Sequence, residues 1–148
     1  MSQLRSSFAA AALVALALTG CKTPPATIAI PPTTAGIDWS NAPVFAIAMS
    51  DFEFTPPNPK FRRGQPVRLV VVNQGTGRHD FSAPGFFGSI TARPGSALPV
   101  NGGVSLAAGE KAELDIVPGA AGQYPLECTV FLHAMFGMTG TISVTASK

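Results

Sequence analysis

The segment from Tyr124 to Ser147, YPLECTVFLHAMFGMTGTISVTAS, constrains this chain more than any other stretch. In Gln123–Cys128, the residues Tyr124, Leu126 and Cys128 share one parity while Gln123 and Glu127 take the other, the alternation of a strand buried on one face. Gly140–Thr145 repeats the pattern, with Ile142 and Val144 on one side. Between these two strands runs Cys128-x4-His133-x4-Met138, so that a thiolate, an imidazole and a thioether sit on one short connection. That donor inventory suits copper. Thiolate and thioether favour Cu(I), imidazole serves either oxidation state, and a trigonal His2Cys set with a weak axial Met is one established copper ligand set. The connection supplies all of it except a second imidazole.

The one other histidine of the chain is His79. It follows the apolar run Val67–Val72 and a Gly-rich turn, which predicts a new strand with His79 and Phe81 pointing inward and Asp80 outward. A ligand from this distant strand would complete the set and fix the metal to the body of the fold.

With these residues in place, the stretch from about Val44 to Lys148 resembles the cupredoxins, the small blue-copper β-sandwiches that include plastocyanin, pseudoazurin and azurin. In that family an upstream histidine precedes a closely spaced Cys…His…Met loop just before the last strand. The resemblance implies that His79 and His133 are imidazole ligands, Cys128 the thiolate and Met138 the axial thioether of a single type 1 copper. The Cys-to-His spacing is similar to that of azurin and the His-to-Met spacing to that of plastocyanin. Asn is usual after the first histidine in the family, where it helps tie the ligand loops together; here Asp80 stands there. Asn73, Asp80, Phe131, Met135 and Phe136 are the expected neighbours of the ligands or docking residues. Met135 is a competing thioether, but it follows His133 by only two residues and reads better as loop surface or packing.

Each ligand candidate also has an ordinary reading, because a single buried Cys, His or Met is commonly just packing. Their joint placement favours copper. Two uses of such a site remain open on the sequence: single-electron transfer between redox proteins, or copper sequestration and delivery to an acceptor. A third reading, a Cys128–His133 thiol-enzyme dyad, requires a reactive thiolate and a substrate cleft, for which nothing else in the chain speaks, and a non-enzyme is expected. His133 is the expected electron port. Its apolar neighbours Val130, Phe131, Leu132, Ala134, Met135 and Phe136 either form an exposed docking face or, for Phe131 and Phe136, fold back into the core.

The amino-terminal part reads as an address. Arg5 and the apolar run Phe8–Leu18, too short to span a bilayer, predict an export signal over residues 1–20. Leu18-Thr19-Gly20-Cys21 resembles the lipobox of bacterial lipoproteins, which implies lipidation of Cys21 and leaves Cys128 without a disulfide partner. Lys22, where an inner-membrane retention signal would place Asp, implies a periplasmic domain anchored to the outer membrane. Residues 21–41 are Pro- and Thr-rich and predict a tether, with the ordered part beginning near Ile37 and the copper domain spanning 42–148. The 148 residues leave room for one domain, expected to be monomeric; with 12% charged residues and a net charge of +2 they carry no nucleic-acid footprint.

Many short apolar alternations separated by Gly and Pro predict an all-β, Greek-key β-sandwich. Val44–Met49 is the first strand, with a parity shift near Ser50 that predicts a bend or bulge. Beyond it Phe52 and Phe54 are expected to face inward, and Asp51 and Glu53 outward. Lys60–Gly64 reads as a basic turn, Val67–Asn73 as a central strand, and Phe87–Ala92 as a short helical turn, with Phe86 and Phe87 capping the core near the metal. In Lys111–Val117, Ala112, Leu114 and Ile116 should point in and Lys111, Glu113 and Asp115 out. Pro125 predicts an edge position or a missing ladder bond, and Trp39 should pack on the flank of the domain.

Overall fold

The structure, a computed structural model, describes Thr34 and residues 36–147 except Leu98. The export signal, Cys21 and most of the tether lie outside the described residues. After a 3-10 turn at Trp39–Asn41 come the strands β1 (Val44–Ser50), β2 (Glu53–Thr55), β3 (Lys60–Arg62), β4 (Val67–Asn73) and β5 (His79–Ser82). A short helix α1 (Pro84–Phe87) precedes β6 (Ile90–Ala92), β7 (Gly103–Leu106), β8 (Lys111–Pro118), β9 (Gly122–Glu127) and β10 (Thr139–Thr145). They form two five-stranded sheets: sheet I in the order β2-β1-β4-β8-β6 and sheet II in the order β3-β10-β9-β5-β7. The expected β-sandwich is therefore present.

Sheet I is built on the apolar run Val67–Val72. Alternate residues Val67, Leu69, Val71 and Asn73 are buried, and the others are half-buried, as befits a central strand. β4 pairs with β1 in parallel and with β8 antiparallel. The inner faces of both sheets meet in a core of Ile47, Met49, Phe54, Leu69, Phe81, Phe86, Leu114, Ile116, Leu126 and Ile142. Each such side chain, fully buried, contributes about 1.5–3 kcal/mol relative to exposure. Trp39 is buried apart from this cluster, in keeping with a flank position.

Several local expectations are corrected. The parity shift after Ser50 is a two-residue hairpin turn, since Ser50 pairs with Glu53, and Phe52 sits in that turn with a left-handed backbone rather than facing the core. Lys60–Arg62 is an edge strand pairing in parallel with β10; Phe61 alone points inward while its charged neighbours stay in solvent. The helix occupies Pro84–Phe87, where Pro suits the first helical turn, and Ile90–Ala92 is a strand on β8. Phe86 packs on Phe61 and Tyr124, which lie towards the end of sheet II away from Cys128. It thus caps the core at the pole opposite the histidines.

The outward face of β8 is not open at Asp115, which is buried. Arg68 lies directly across the ladder and donates two hydrogen bonds to the carboxylate at 2.8 and 3.2 Å, and Arg93 adds a third at 3.0 Å. Arg68 holds this carboxyl below the ordinary range against the upward push of burial, with help from Arg93. Pro125 lies inside sheet II but opposite no residue of β5, whose pairing with β9 is limited to Ser82 and Glu127. Its missing N–H therefore costs no ladder bond.

Candidate metal centre

His79 opens β5 and is completely buried. Its strand gives the parity expected from the sequence: His79 and Phe81 face the core and Asp80 the other side. The other candidates come from the β9–β10 connection. Antiparallel register places Glu127 opposite Thr139, so Cys128 and Met138 face each other one step further on, and the Cys128 N–H donates to the Met138 carbonyl at 3.1 Å. The loop between them is folded by its own backbone. The N–H of His133 donates to the Val130 carbonyl, those of Phe136 and Met138 to the His133 carbonyl, and Gly137 takes the positive φ that closes the turn.

These elements bring three donors together. The Nδ1 atoms of His79 and His133 lie 3.1 Å apart, and Cys128 Sγ lies 3.9 Å from the first and 3.5 Å from the second. The point equidistant from all three is roughly 2 Å from each, an ordinary metal–imidazole distance. Both Nδ1 atoms and the sulfur lie within reach of that point, as a shared soft cation requires. Cys128 and Met138 are buried and His133 is half-buried. Met135, by contrast, is 78% exposed, so Met138 is the thioether on the inner side of the loop. The residues present fit one type 1 copper ion, held by His79, Cys128 and His133 with Met138 beside them.

The surroundings tie the ligands to one another. The Asp80 N–H donates to Cys128 Sγ at 3.3 Å, and the Thr129 hydroxyl donates to Asp80 Oδ2. Asp80 thus links the two ligand-bearing segments through its backbone N–H and its carboxylate. As a carboxylate it can only accept, and its Oδ1 is buried without a hydrogen-bond partner among the described residues. Asn73, fully buried, donates to the carbonyls of Gly77 and Leu106 at 2.8 and 2.9 Å and accepts from the Gly75 N–H at 2.9 Å. It fixes the loop leading to His79 without reaching the three-donor cluster.

Two residues that the sequence reading placed elsewhere belong to the site. Asp51, expected on an outward strand face, has its Oδ1 3.0 Å from His79 Nε2. This contact and the hydrogen bonds from Thr76 hold its carboxyl below the ordinary range. Phe52, expected in the core, lies edge-on to the His133 ring at 5.1 Å and to Phe136 at 5.4 Å. The parity break at Ser50 was the available signal, since a tight turn there projects both side chains across the sandwich. Phe131 and Phe136, 84% and 62% exposed, do not fold back into the core. With Phe52, Leu132 and Met135 they form an apolar surface around His133.

Comparison with known proteins agrees with this architecture. The family model of the cupredoxin-like domain matches residues 9–144. Auracyanin B superposes with a TM-score of 0.52 at 21% identity, covering 70% of this chain and 89% of that one. The dithionite-reduced auracyanin of the photosynthetic bacterium Roseiflexus castenholzii gives 0.52 at 18% identity, over 70% of this chain and 98% of that one. A multicopper oxidase of Campylobacter jejuni, described as a metallo-oxidase, gives 0.55 at 14% identity over 75% of this chain but only 32% of its own length. A search of curated protein sequences finds no significant match.

Proposed function

The chain belongs to the cupredoxin-like domain family, and from that premise we propose that it is a blue copper protein carrying single electrons between redox partners. Bound copper supplies the one-electron Cu(II)/Cu(I) couple. The observation that carries the reading is the enclosed triangle of His79, Cys128 and His133, fixed on β5 and on a self-bonded loop. Ligands held by packing keep one geometry for both oxidation states, so little rearrangement opposes electron transfer. His79, Cys128 and Met138 are all buried, so the donors lie behind the loop surface, which supports a carrier rather than an oxidase.

His133 is the proposed electron port. It stands at the edge of the apolar face of Phe131, Leu132, Met135 and Phe136, beside a shallow depression of about 450 Å³ that reaches Cys128. A redox protein docking there would exclude water next to a ligand edge. The proposed setting is the periplasm, with lipidated Cys21 anchoring the domain to the outer membrane; the lipobox-like Leu18-Thr19-Gly20-Cys21 and the tether after it support this reading. The domain is proposed to work as a monomer. The exposed Met135 thioether on the loop favours a second reading, delivery of Cu(I) to an acceptor.

The test is the visible and electron-spin-resonance spectrum of the copper-loaded protein. An intense thiolate-to-copper band with narrow copper hyperfine splitting, both lost in Cys128→Ser, is expected, with reversible one-electron voltammetry. A colourless protein that binds Cu(I) and hands it rapidly to a chelator would replace the carrier reading with copper delivery.

A further inference from the structure

Sheet I contributes no ligand to the cluster, yet its β1–β2 turn crosses to it. Asp51 Oδ1 approaches His79 Nε2 at 3.0 Å, on the side of the ring opposite the metal-facing Nδ1. The carboxylate is itself held: the Thr76 N–H donates to Oδ1 at 3.2 Å and the Thr76 hydroxyl to Oδ2 at 3.0 Å. Space for the pair is made by Gly75, where a Cβ would stand 2.6 Å from both Asp51 Oδ1 and His79 Nε2. No larger residue fits there without parting the two. Buried Asn73 fixes Gly75 in turn by accepting its N–H. Three separate features of the loop 73–76 thus converge on one carboxylate–imidazole contact.

We propose that Asp51 is a positioning residue for the copper site, holding His79 with its proton on Nε2 and its Nδ1 lone pair towards the metal, and favouring Cu(II) over Cu(I) by its negative charge. The first part follows from donor logic: a carboxylate only accepts, so Nε2 carries the hydrogen and Nδ1 is left as the electron-pair donor. The second follows from Coulomb attraction, which is larger for the more highly charged ion. The carboxylate is 44% exposed, so water screens the effect and limits its size.

The proposal rests on the copper assignment, and the experiment separates the two. Asp51→Asn keeps an oxygen acceptor and removes the charge, while Asp51→Ala removes both. Gly75→Ala keeps the charge and displaces it. In Asp51→Asn the blue spectrum should persist while the Cu(II):Cu(I) preference falls by up to about tenfold, a rise in potential of up to about 59 mV for one electron. In the metal-free protein, imidazole nitrogen-15 shifts should show His79 protonated at Nε2 in the wild type and in Asp51→Asn. Asp51→Ala and Gly75→Ala should give a mixture of tautomers. Unchanged potentials in both Asp51 variants would overturn the charge effect, and unchanged nitrogen shifts in Asp51→Ala and Gly75→Ala would overturn the positioning role. Should Asp51→Ala fail to fold, Asp51→Asn decides on the potential and Gly75→Ala on the shifts. A wild-type protein without a blue spectrum would sink the electron-carrier reading, leaving the metal-free shifts to judge Asp51.

Discussion

In sheet I, β4 is paired over six positions with β1 and over six with β8, a continuous ladder through the middle of the sandwich. In sheet II, β5 and β9, the strands that deliver His79 and Cys128, meet at the single pair Ser82–Glu127. The ligand-bearing strands are instead joined by side chains and by contacts to sulfur: Thr129 to Asp80, and the Asp80 N–H to Cys128. The difference separates what makes the domain stable from what shapes its metal centre. A change in sheet I should therefore move the unfolding free energy with little effect on colour, and a change at the ligands and their hydrogen-bond partners at the loop end of sheet II should do the reverse.

The largest expected effect is on the ladder. Leu114 is fully buried opposite Leu69, and Leu114→Ala should cost about 2–5 kcal/mol in denaturant unfolding, while the visible spectrum of the folded fraction stays as in the wild type. A shifted spectrum would break the comparison. Next is Asp115→Asn, which deprives Arg68 and Arg93 of a charged acceptor and should cost about 1–2 kcal/mol near neutral pH. Because the folded carboxyl is held low, chiefly by Arg68, its stabilisation is present above the unfolded-state value of about 3.9 and fades as the pH falls through the folded value. The wild type and Asp115→Asn should accordingly converge in stability on acidification below about pH 4. A gap that stays constant would show that charge is not its source.

The smallest effect on stability belongs to the apolar face. Met135→Glu, at a position 78% exposed, should change unfolding by less than about 0.5 kcal/mol. Desolvating the new carboxylate on docking should nonetheless slow electron exchange with a redox partner by about tenfold, with the copper spectrum intact. A lost spectrum would instead make the loop surface part of the metal's support.

How much of this was legible in the sequence follows from the range of each interaction. Cys128, His133 and Met138 are neighbours along the chain, and the alternating strands beside them fix their facing, so the loop end of the site could be read directly. His79 was legible because the chain offers no other histidine and its parity is clear. Asp51 was not, since its partner is His79, 28 residues away and across the sandwich. Local alternation can assign a side chain to the outer face of a strand but cannot show that a tight turn has swung it over another sheet. Lys60–Arg62 failed for a similar reason: one inward Phe61 between basic residues looks like a turn until β10, more than 80 residues on, supplies the ladder. Asp115 looked solvent-facing because the arginines that cover it come from β4 and from beyond β6.

The path of β1 has one more consequence. Val44 stands at the pole shared with Phe61, and the strand runs from there towards Asp51 and the histidines, about 20 Å away for a strand of this length. The chain thus arrives at the pole opposite the copper. Tunnelling falls off exponentially with distance, so a molecule immobilised on an electrode through its amino-terminal side would keep its redox centre turned to solution and pass little current to the surface beneath. Adsorbed on an alkanethiol film through Phe131, Met135 and Phe136, the same molecule would face the conductor with His133, and if His133 is the electron port as proposed its voltammogram would be fast.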